Sequence, residues 1–434
     1  MISYKKQNSK KNLPIITIPM PGVQSVTTLV MVNTGSRYEK PKSEGIAHFF
    51  EHMVFKGTKN YPGAEKIAIA LDEVGADANA FTSKEYTGYY VKAESGQTER
   101  AIDLVSDMLL QPLLKQEDID RERGVIIEEI NMYHDLPMRH IANKFEQLFF
   151  RGSGLSHDII GSKETVSSLS SADFNNFLTQ WYGLENMVLV VCGDERVVGS
   201  DETISLIEDK FSKDHGVRAD GKLDVKKFIS SKNGPISPHK FYLENRKTEQ
   251  AHLVIGWPGL ERGHEDRYAL SVLGTILGGN MSSRLFSEVR EKRGLAYYIS
   301  SDVDFYHDAG IFGASAGVDP KRIDNALEVI FSEFRDLASG EKPISEEELK
   351  KAKDYLVGTM TLSLEDSKSV AQFFGMKEIL NDDIETPQEV FDSIRAVELD
   401  DVNRLAESLL GEGQARLALI GPFEDEDRFA RHLG

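Results

Sequence analysis

Cysteine is almost absent from this sequence of 434 residues, which contains only Cys192. A single thiol excludes an internal disulfide and any zinc site built from several cysteines. A chain without disulfides is compatible with a reducing compartment.

Long apolar runs and an excess of basic residues are also missing. No stretch approaches the roughly 20 apolar residues of a membrane-spanning helix, and the N-terminus lacks the apolar run of a secretory signal peptide. The net charge of −19 at pH 7 disfavours nucleic acid and anionic membranes as partners, because both attract basic surfaces. We therefore expect a cytoplasmic protein that binds no nucleic acid and has no membrane span.

The order of the predicted elements repeats once along the chain. In each half a strand, an apolar helix, a pair of strands, further helices and a closing strand follow one another, as the apolar spacing alternates between 2 and 3.6 residues. We predict an α+β protein of two homologous domains, each a mainly antiparallel mixed sheet with helices packed on one face. The predicted domains are residues 1–220 and 241–434, and the Gly-, Lys- and Ser-rich segment between them contains the linker, residues 221–240.

The segment AHFFEHMVFKG, residues 47–57, places His48, Glu51 and His52 on an otherwise apolar helix. Residues four apart lie on one helix face, so both imidazoles can reach one cation. Burying these groups without a partner would cost several kcal/mol. Taken by itself, the five-residue pattern also allows two partly exposed histidines without a metal.

A catalytic zinc needs three protein ligands and one open position, so a third ligand must come from elsewhere. The charged helix predicted at residues 118–137 offers Glu122, Glu128 and Glu129. Glu122 and Glu129 lie about two turns apart on the face that also carries Ile126, which indicates that this face points inward. Glu128 points elsewhere and is expected to be solvated.

The complete pattern, H-x-x-E-H with 76 residues between His52 and Glu129, resembles the signature of the inverzincins. That family includes pitrilysin, insulysin and the mitochondrial processing peptidase. The resemblance implies that His48, His52 and Glu129 bind one Zn²⁺ per chain and that Glu51 is the general base for the zinc-bound water. It also implies that Glu122 orients a ligand from outside the ligand set.

A second segment that resembles the family is NAFTSKEYTGYY, residues 79–90. In the family, an extended substrate adds to the edge of the strand beside the zinc helix and is held by main-chain hydrogen bonds. Asn79, Ala80 and Phe81 match the recurrent positions of that strand. The alternative is an ordinary strand with a phenylalanine in the core.

A third resembling segment lies in the second half, at residues 278–300. Arg290 and Tyr297 there match an arginine–tyrosine pair that holds the substrate and stabilises the tetrahedral oxyanion. A surface arginine and a core tyrosine are the alternative interpretation. The second half has no metal motif, since LSVLGTILGG occupies the place of the histidines.

The resemblance covers essentially the whole chain, and two domains are typical of the bacterial processing-peptidase-like subgroup. It implies a zinc metalloendopeptidase that cleaves unfolded peptides or small protein segments inside a closed chamber. The chamber would form in a homodimer, or in a heterodimer with a related inactive chain. The alternative is a non-catalytic structural or partner subunit of the same fold, like the core proteins of respiratory complexes. The cleavage specificity is not encoded in a readable motif.

Overall fold

A computed structural model describes residues 2–212, 224, 236–380, 384–411 and 413–433. The predicted linker, residues 221–240, lies outside the described residues except for position 224 and positions 236–240. Within the described ranges no helix is both long and apolar enough to cross a membrane.

Eleven strands and fifteen helices make up the described structure. The strands are β1 (Lys5–Asn8), β2 (Pro14–Met20), β3 (Ser25–Val32), β4 (Asp77–Thr82), β5 (Thr87–Glu94), β6 (Met187–Asp194), β7 (Phe241–Asn245), β8 (Ala251–Pro258), β9 (Ala296–Phe305), β10 (Gly310–Val318) and β11 (Arg416–Gly421). The helices are α1 (Ile46–Met53), α2 (Ala64–Asp72), α3 (Thr98–Leu110), α4 (Gln116–Asp135), α5 (Pro137–Phe149), α6 (Lys163–Ser168), α7 (Ser171–Trp181), α8 (Asp201–Ser212), α9 (Arg267–Gly278), α10 (Ile323–Ser339), α11 (Glu346–Ser363), α12 (Ser367–Leu380), α13 (Pro387–Ala396), α14 (Leu399–Leu409) and α15 (Asp427–Ala430).

The chain forms two compact units, and each unit is assembled from three separate segments. Unit 1 comprises Met1–Ile130, His157–Ser230 and Thr361–Gln388. Unit 2 comprises Asn131–Ser156, Ser231–Met360 and Glu389–Gly434.

Unit 1 contains a six-stranded sheet in the order β1-β2-β6-β3-β5-β4. Strands β2 and β6 pair in parallel, whereas the other neighbours are antiparallel. The central strand β6, with the sequence MVLVVCGD, is buried along its whole length. At one edge lies β4, which pairs with β5 alone within the described residues.

Helices cover both faces of the unit 1 sheet. On one face Phe50 of α1 packs its ring against Tyr182, with the centroids 5.0 Å apart, and against Tyr89 of β5. On the other face Ser367 of α12 hydrogen-bonds to the buried Thr27 hydroxyl at 2.9 Å. The second face of this sheet is therefore covered by a helix from the C-terminal half of the sequence.

Unit 2 contains a five-stranded sheet in the order β7-β11-β8-β10-β9, with only β7 and β11 parallel. Trp257 of β8 stacks on Phe334 of α10, with ring centroids 4.3 Å apart. The opposite face receives α5, whose Phe145 and Phe149 join a buried apolar cluster that includes Val254 of β8.

The predicted fold class is confirmed: the protein is α+β, with two mixed, mostly antiparallel sheets and helices packed on them. The units differ from the continuous domains predicted at residues 1–220 and 241–434, because α5 belongs to unit 2 and α12 to unit 1. Each of these helices covers the sheet face that the predicted one-sided packing would have left open.

Candidate metal centre

Helix α1 is short, and a buried carboxylate defines its start. The N-cap residue Gly45 has a φ of 91°, a left-handed conformation suited to glycine, and forms no side-chain cap. Instead Glu39 accepts hydrogen bonds from the backbone NH groups of Gly45 at 2.7 Å and Ala47 at 2.8 Å. Burial raises the pKa of Glu39 to about 8 despite these two donors. The contacts fix the position of the helix that carries the histidine motif.

The two histidines of α1 lie side by side and face helix α4. Their ring centroids are 4.8 Å apart, and His48 is buried. The Oε2 atom of Glu129 lies 3.7 Å from Nε2 of His48 and 3.5 Å from Nε2 of His52. One ligand atom from each residue therefore lies within 4.8 Å of the other two.

These separations fit a metal ion better than direct hydrogen bonds. Both exceed the roughly 2.7–3.2 Å of an ordinary N–H···O bond. Around a tetrahedral zinc with bonds of about 2.0–2.2 Å, neighbouring ligand atoms lie about 3.3–3.6 Å apart. The donor set of two imidazoles and one carboxylate is also one that zinc uses in hydrolytic enzymes.

The second ring nitrogen of His52 has the partner that a metal-binding histidine usually has. Its Nδ1 lies 2.9 Å from Oε1 of the buried Glu122, and the other oxygen of Glu122 lies 2.6 Å from Nζ of Lys56. When His52 is neutral, a carboxylate at Nδ1 favours the tautomer with its lone pair on Nε2, toward Glu129. The Nδ1 atom of His48 has no hydrogen-bond partner among the described residues.

The neighbouring carboxylates separate the pKa values of the two histidines. Burial and, to a smaller extent, the neighbouring His52 lower the pKa of His48 to about 4, although Glu129 opposes this shift. Burial also opposes the charged form of His52, but Glu122 and Glu129 outweigh that effect and raise its pKa to about 9. Burial favours the neutral form of Glu122 and so raises its pKa, but its contacts with His52 and Lys56 outweigh burial and lower the pKa. Without a metal, His52 is thus positively charged at neutral pH, whereas His48 is neutral.

Glu51 lies between the two histidines in the sequence and contacts the end of β4. The Thr82 hydroxyl donates a hydrogen bond to Oε2 of Glu51 at 2.7 Å. Burial raises the pKa of Glu51, and the contact with Thr82 opposes this shift. Sequence analysis missed both Thr82 and Lys56, although each belongs to a segment that was singled out for other residues.

The three residues predicted to bind substrate all belong to the edge strand β4, which packs against α1. Ala80 is buried, whereas Asn79 is exposed and its side-chain oxygen accepts a hydrogen bond from the NH of Ala80. Phe81 is half-buried and packs on Gly88 of β5, where an added Cβ would lie 2.2 Å from its ring.

Arg290 and Tyr297 belong to unit 2. Arg290 lies in a π-helical turn, Phe286–Glu291, with its guanidinium carbon 4.7 Å from the centroid of the Phe286 ring. Tyr297 is the second residue of β9 and is 73% exposed, so the alternative of a core tyrosine is wrong. The structure thus brings together His48, Glu51, His52, Glu122 and Glu129 in unit 1, and it places Arg290 and Tyr297 in unit 2.

A second cluster of the same composition was not predicted. His134 at the end of α4, His140 in α5 and Glu244 in β7 place one ligand atom each within 4.8 Å of the others. No short motif marks this group, because Glu244 is separated from His140 by more than a hundred positions.

Comparisons with known proteins cover both halves of the chain. The profile of the insulinase family, peptidase family M16, matches residues 15–163, and that of the peptidase M16 inactive domain matches residues 168–356. A protein of Streptomyces coelicolor named an uncharacterized zinc protease is 35% identical over 97% of this chain and 90% of its own length. The uncharacterized zinc protease YmxG of Bacillus subtilis is 34% identical over 96% of this chain and 98% of its own length.

Solved structures share the fold at lower sequence identity. A protease from Helicobacter pylori superposes with a TM-score of 0.85 at 22% identity, covering 97% of this chain and 100% of its own. A peptidase M16 inactive domain from Pseudomonas fluorescens superposes with a TM-score of 0.86 at 17% identity, covering 97% of this chain and 98% of its own.

Proposed function

The chain belongs to the insulinase family, peptidase family M16, and on this premise we propose that it is a zinc-dependent endopeptidase acting on unfolded peptides. The observation that carries the proposal is the spacing of 3.5 and 3.7 Å between the histidine nitrogens and Glu129 Oε2. A gap of this size between three ligand atoms is suited to one zinc ion.

We propose that His48, His52 and Glu129 hold one Zn²⁺ per chain. When bound, zinc polarises a peptide carbonyl and lowers the pKa of water toward neutrality. Glu122 orients His52 through the hydrogen bond at Nδ1, so that the lone pair of Nε2 points toward Glu129.

Glu51 is proposed as the general base. Its carboxylate accepts a proton from the attacking water and passes it to the leaving amine. A carboxylate whose pKa is raised by burial is a stronger base than an exposed one, which brings it closer to the pH at which the enzyme would work.

The edge strand β4 is proposed to bind the substrate backbone. An extended peptide could pair with this edge through main-chain hydrogen bonds at Asn79, Ala80 and Phe81. The strand packs against α1, which carries Glu51 and both histidines, and this proximity supports the proposal.

Arg290 and Tyr297 are proposed to hold the substrate and to stabilise the negative charge that develops on the carbonyl oxygen. The exposure of Tyr297 supports the proposal, because a phenol available to a ligand can donate a hydrogen bond.

We also propose a homodimer as the working assembly, with a heterodimer containing a related inactive chain as the alternative. The assembly rests on resemblance to two-domain processing peptidases and would be tested by the mass in solution.

The competing function is a non-catalytic subunit of the same fold. The match of the inactive-domain profile to residues 168–356 leaves that function open, although the histidine motif lies outside this range. Zinc content and peptide cleavage, measured on the purified chain, distinguish the two functions. A peptidase should contain about one zinc per chain and cleave an unfolded peptide mixture until a chelator removes the metal. Absence of bound zinc, or cleavage that a chelator does not change, would contradict the proposal.

A further inference from the structure

The proposed metal ligands do not determine the orientation of the Glu51 carboxylate. A glutamate has rotatable bonds between its backbone and its carboxylate, and a general base must hold one oxygen toward the water that it deprotonates. Glu51 is half-buried at the end of α1. A contact that orients the carboxylate would therefore favour the reaction.

The contact is with the last residue of β4. The Thr82 hydroxyl donates to Oε2 of Glu51 at 2.7 Å. The backbone NH of Thr82 also donates a hydrogen bond to the Glu51 carboxylate. The carboxylate is thus oriented by two donors of the same residue, and the hydroxyl is the one that a substitution can remove.

Thr82 can serve as a tether because the turn that follows it is held in place. Ser83 donates its NH to the Tyr86 carbonyl at 2.8 Å and closes the turn between β4 and β5. The Ser83 carbonyl in turn accepts a hydrogen bond from the NH of Ser36 at 3.1 Å.

A close approach on the opposite side reinforces this turn. A Cβ on Gly35 would lie only 2.3 Å from the Ser83 oxygen, so the two segments touch through their backbones. The buried ion pair between Arg37 and Glu85 joins the same two segments. The backbone next to Thr82 is therefore held in place by hydrogen bonds and packing.

We infer that Thr82 is a positioning residue for catalysis, whose hydroxyl holds the Glu51 carboxylate in the orientation in which it accepts the proton of the attacking water. This inference rests on the proposed peptidase function. It also connects the edge strand proposed to bind substrate with the base, because β4 carries both the substrate-pairing positions and the tether.

The test compares Thr82→Val, which keeps the shape of the side chain but removes the hydroxyl, with Thr82→Ser, which keeps the hydroxyl. Kinetics would be measured with an internally quenched peptide that the wild type selects from a mixed-sequence library. We expect Thr82→Val to keep its zinc and its KM while kcat falls on the order of 10-fold, and Thr82→Ser to recover most of kcat. Wild-type kcat in Thr82→Val would overturn the inference, as would an equal loss in Thr82→Ser.

A double-mutant cycle with Glu51→Gln distinguishes positioning from a general disturbance of the fold. If Thr82 acts only through the Glu51 carboxylate, Thr82→Val should cause no further loss of kcat in the Glu51→Gln background. A full additional 10-fold loss there would refute the inference. Failure of the wild type itself to bind zinc or cleave the peptide would instead reject the proposed function, so the two failures can be told apart.

Discussion

Two clusters of identical composition, one in each unit, differ in how their atoms are spaced. In unit 1, Nε2 of His48 and His52 lie 3.7 and 3.5 Å from Oε2 of Glu129. In unit 2, Nε2 of His140 lies 2.9 Å from Oε2 of Glu244, which is the length of a direct hydrogen bond. The first cluster leaves room for an ion between its ligand atoms, whereas the second is already joined.

The unit 2 cluster also contains its own cation. Nε of Arg246 donates to Oε1 of Glu244 at 2.8 Å, and its NH2 group lies 3.0 Å from Nε2 of His134. The Tyr242 hydroxyl adds a hydrogen bond to Oε2 of Glu244 at 2.9 Å. A guanidinium thus balances the carboxylate charge that a metal ion would balance in unit 1.

The comparison shows that residue types alone do not define a metal site. Zinc binds only ligand atoms that have a lone pair available. The ligand atoms must therefore lie close together without forming hydrogen bonds or ion pairs with one another. The lysine in unit 1, Lys56, binds Glu122, which contacts His52 from outside the proposed ligand set. In unit 2 the cation Arg246 binds Glu244, a member of the His–His–Glu cluster itself.

The largest expected effect is the loss of the metal itself. Replacing His52 by alanine should remove zinc and activity together, because two remaining ligands hold a catalytic zinc poorly. The matched change in unit 2, His140→Ala, should leave about one zinc per chain and the activity intact. Metal analysis of both purified proteins checks the contrast, and full zinc occupancy in the His52 variant would contradict the assignment.

Removing the base should reduce turnover without removing the metal. Glu51→Gln keeps the shape of the side chain but cannot accept the proton, so we expect zinc to stay and kcat to fall by roughly 10²-fold or more. Glu244→Gln, the same chemical change in unit 2, is the control and should keep normal kcat. If Glu51→Gln cleaves peptides at the normal rate, Glu51 is not the base.

The tyrosine proposed to stabilise the oxyanion should have the next largest effect. Tyr297→Phe removes one hydrogen-bond donor, and we expect kcat to fall on the order of 10-fold to 10³-fold with zinc retained. Tyr242→Phe, the control, removes a hydroxyl that bonds to Glu244 and should leave kcat unchanged. Normal kinetics in a variant carrying both Tyr297→Phe and Arg290→Ala would show that this pair has no part in the reaction.

Zinc binding should release a proton from one identifiable residue. At pH 7 His48, with a pKa of about 4, is already neutral, but His52, with a pKa of about 9, must lose its proton to bind zinc. Zinc affinity should therefore rise with pH until about pH 9. Calorimetry in buffers of different ionisation enthalpy should report about one proton released per zinc. Burial lowers the pKa of His140 in unit 2, so zinc binding to that cluster would release far fewer protons from His140.

The smallest effect concerns the stability of the unit 2 cluster. Tyr242→Phe deletes one partly buried hydrogen bond to Glu244, so the free energy of unfolding should fall by about 1 kcal/mol. Denaturant titration measures this change, and the zinc content should not move. A gain of zinc in this variant would mean that the hydrogen-bonded network, rather than a lack of suitable ligands, keeps metal out of unit 2.

The residues of the unit 1 cluster could be identified in advance because local periodicity relates them. His48 and His52 share a helix face through their spacing of four, and Glu122 and Glu129 share one through their spacing of seven. The number of residues between the two helices then matched a family pattern. No comparable signal relates His134, His140 and Glu244, so their meeting in unit 2 could not be anticipated.

The sequence by itself determined the fold class and, through periodicity, the elements that repeat in the two halves. The candidate ligands followed from short spacings together with the resemblance to a known family. Only the tertiary structure decided that α5 joins unit 2 and α12 joins unit 1, that Thr82 tethers Glu51, and that one His–His–Glu cluster is open while the other is closed by Arg246. These features depend on contacts between residues far apart in the chain. Such contacts are set by which apolar faces pack together, and differences of less than 1 Å in that packing separate a hydrogen bond from a space for a metal ion.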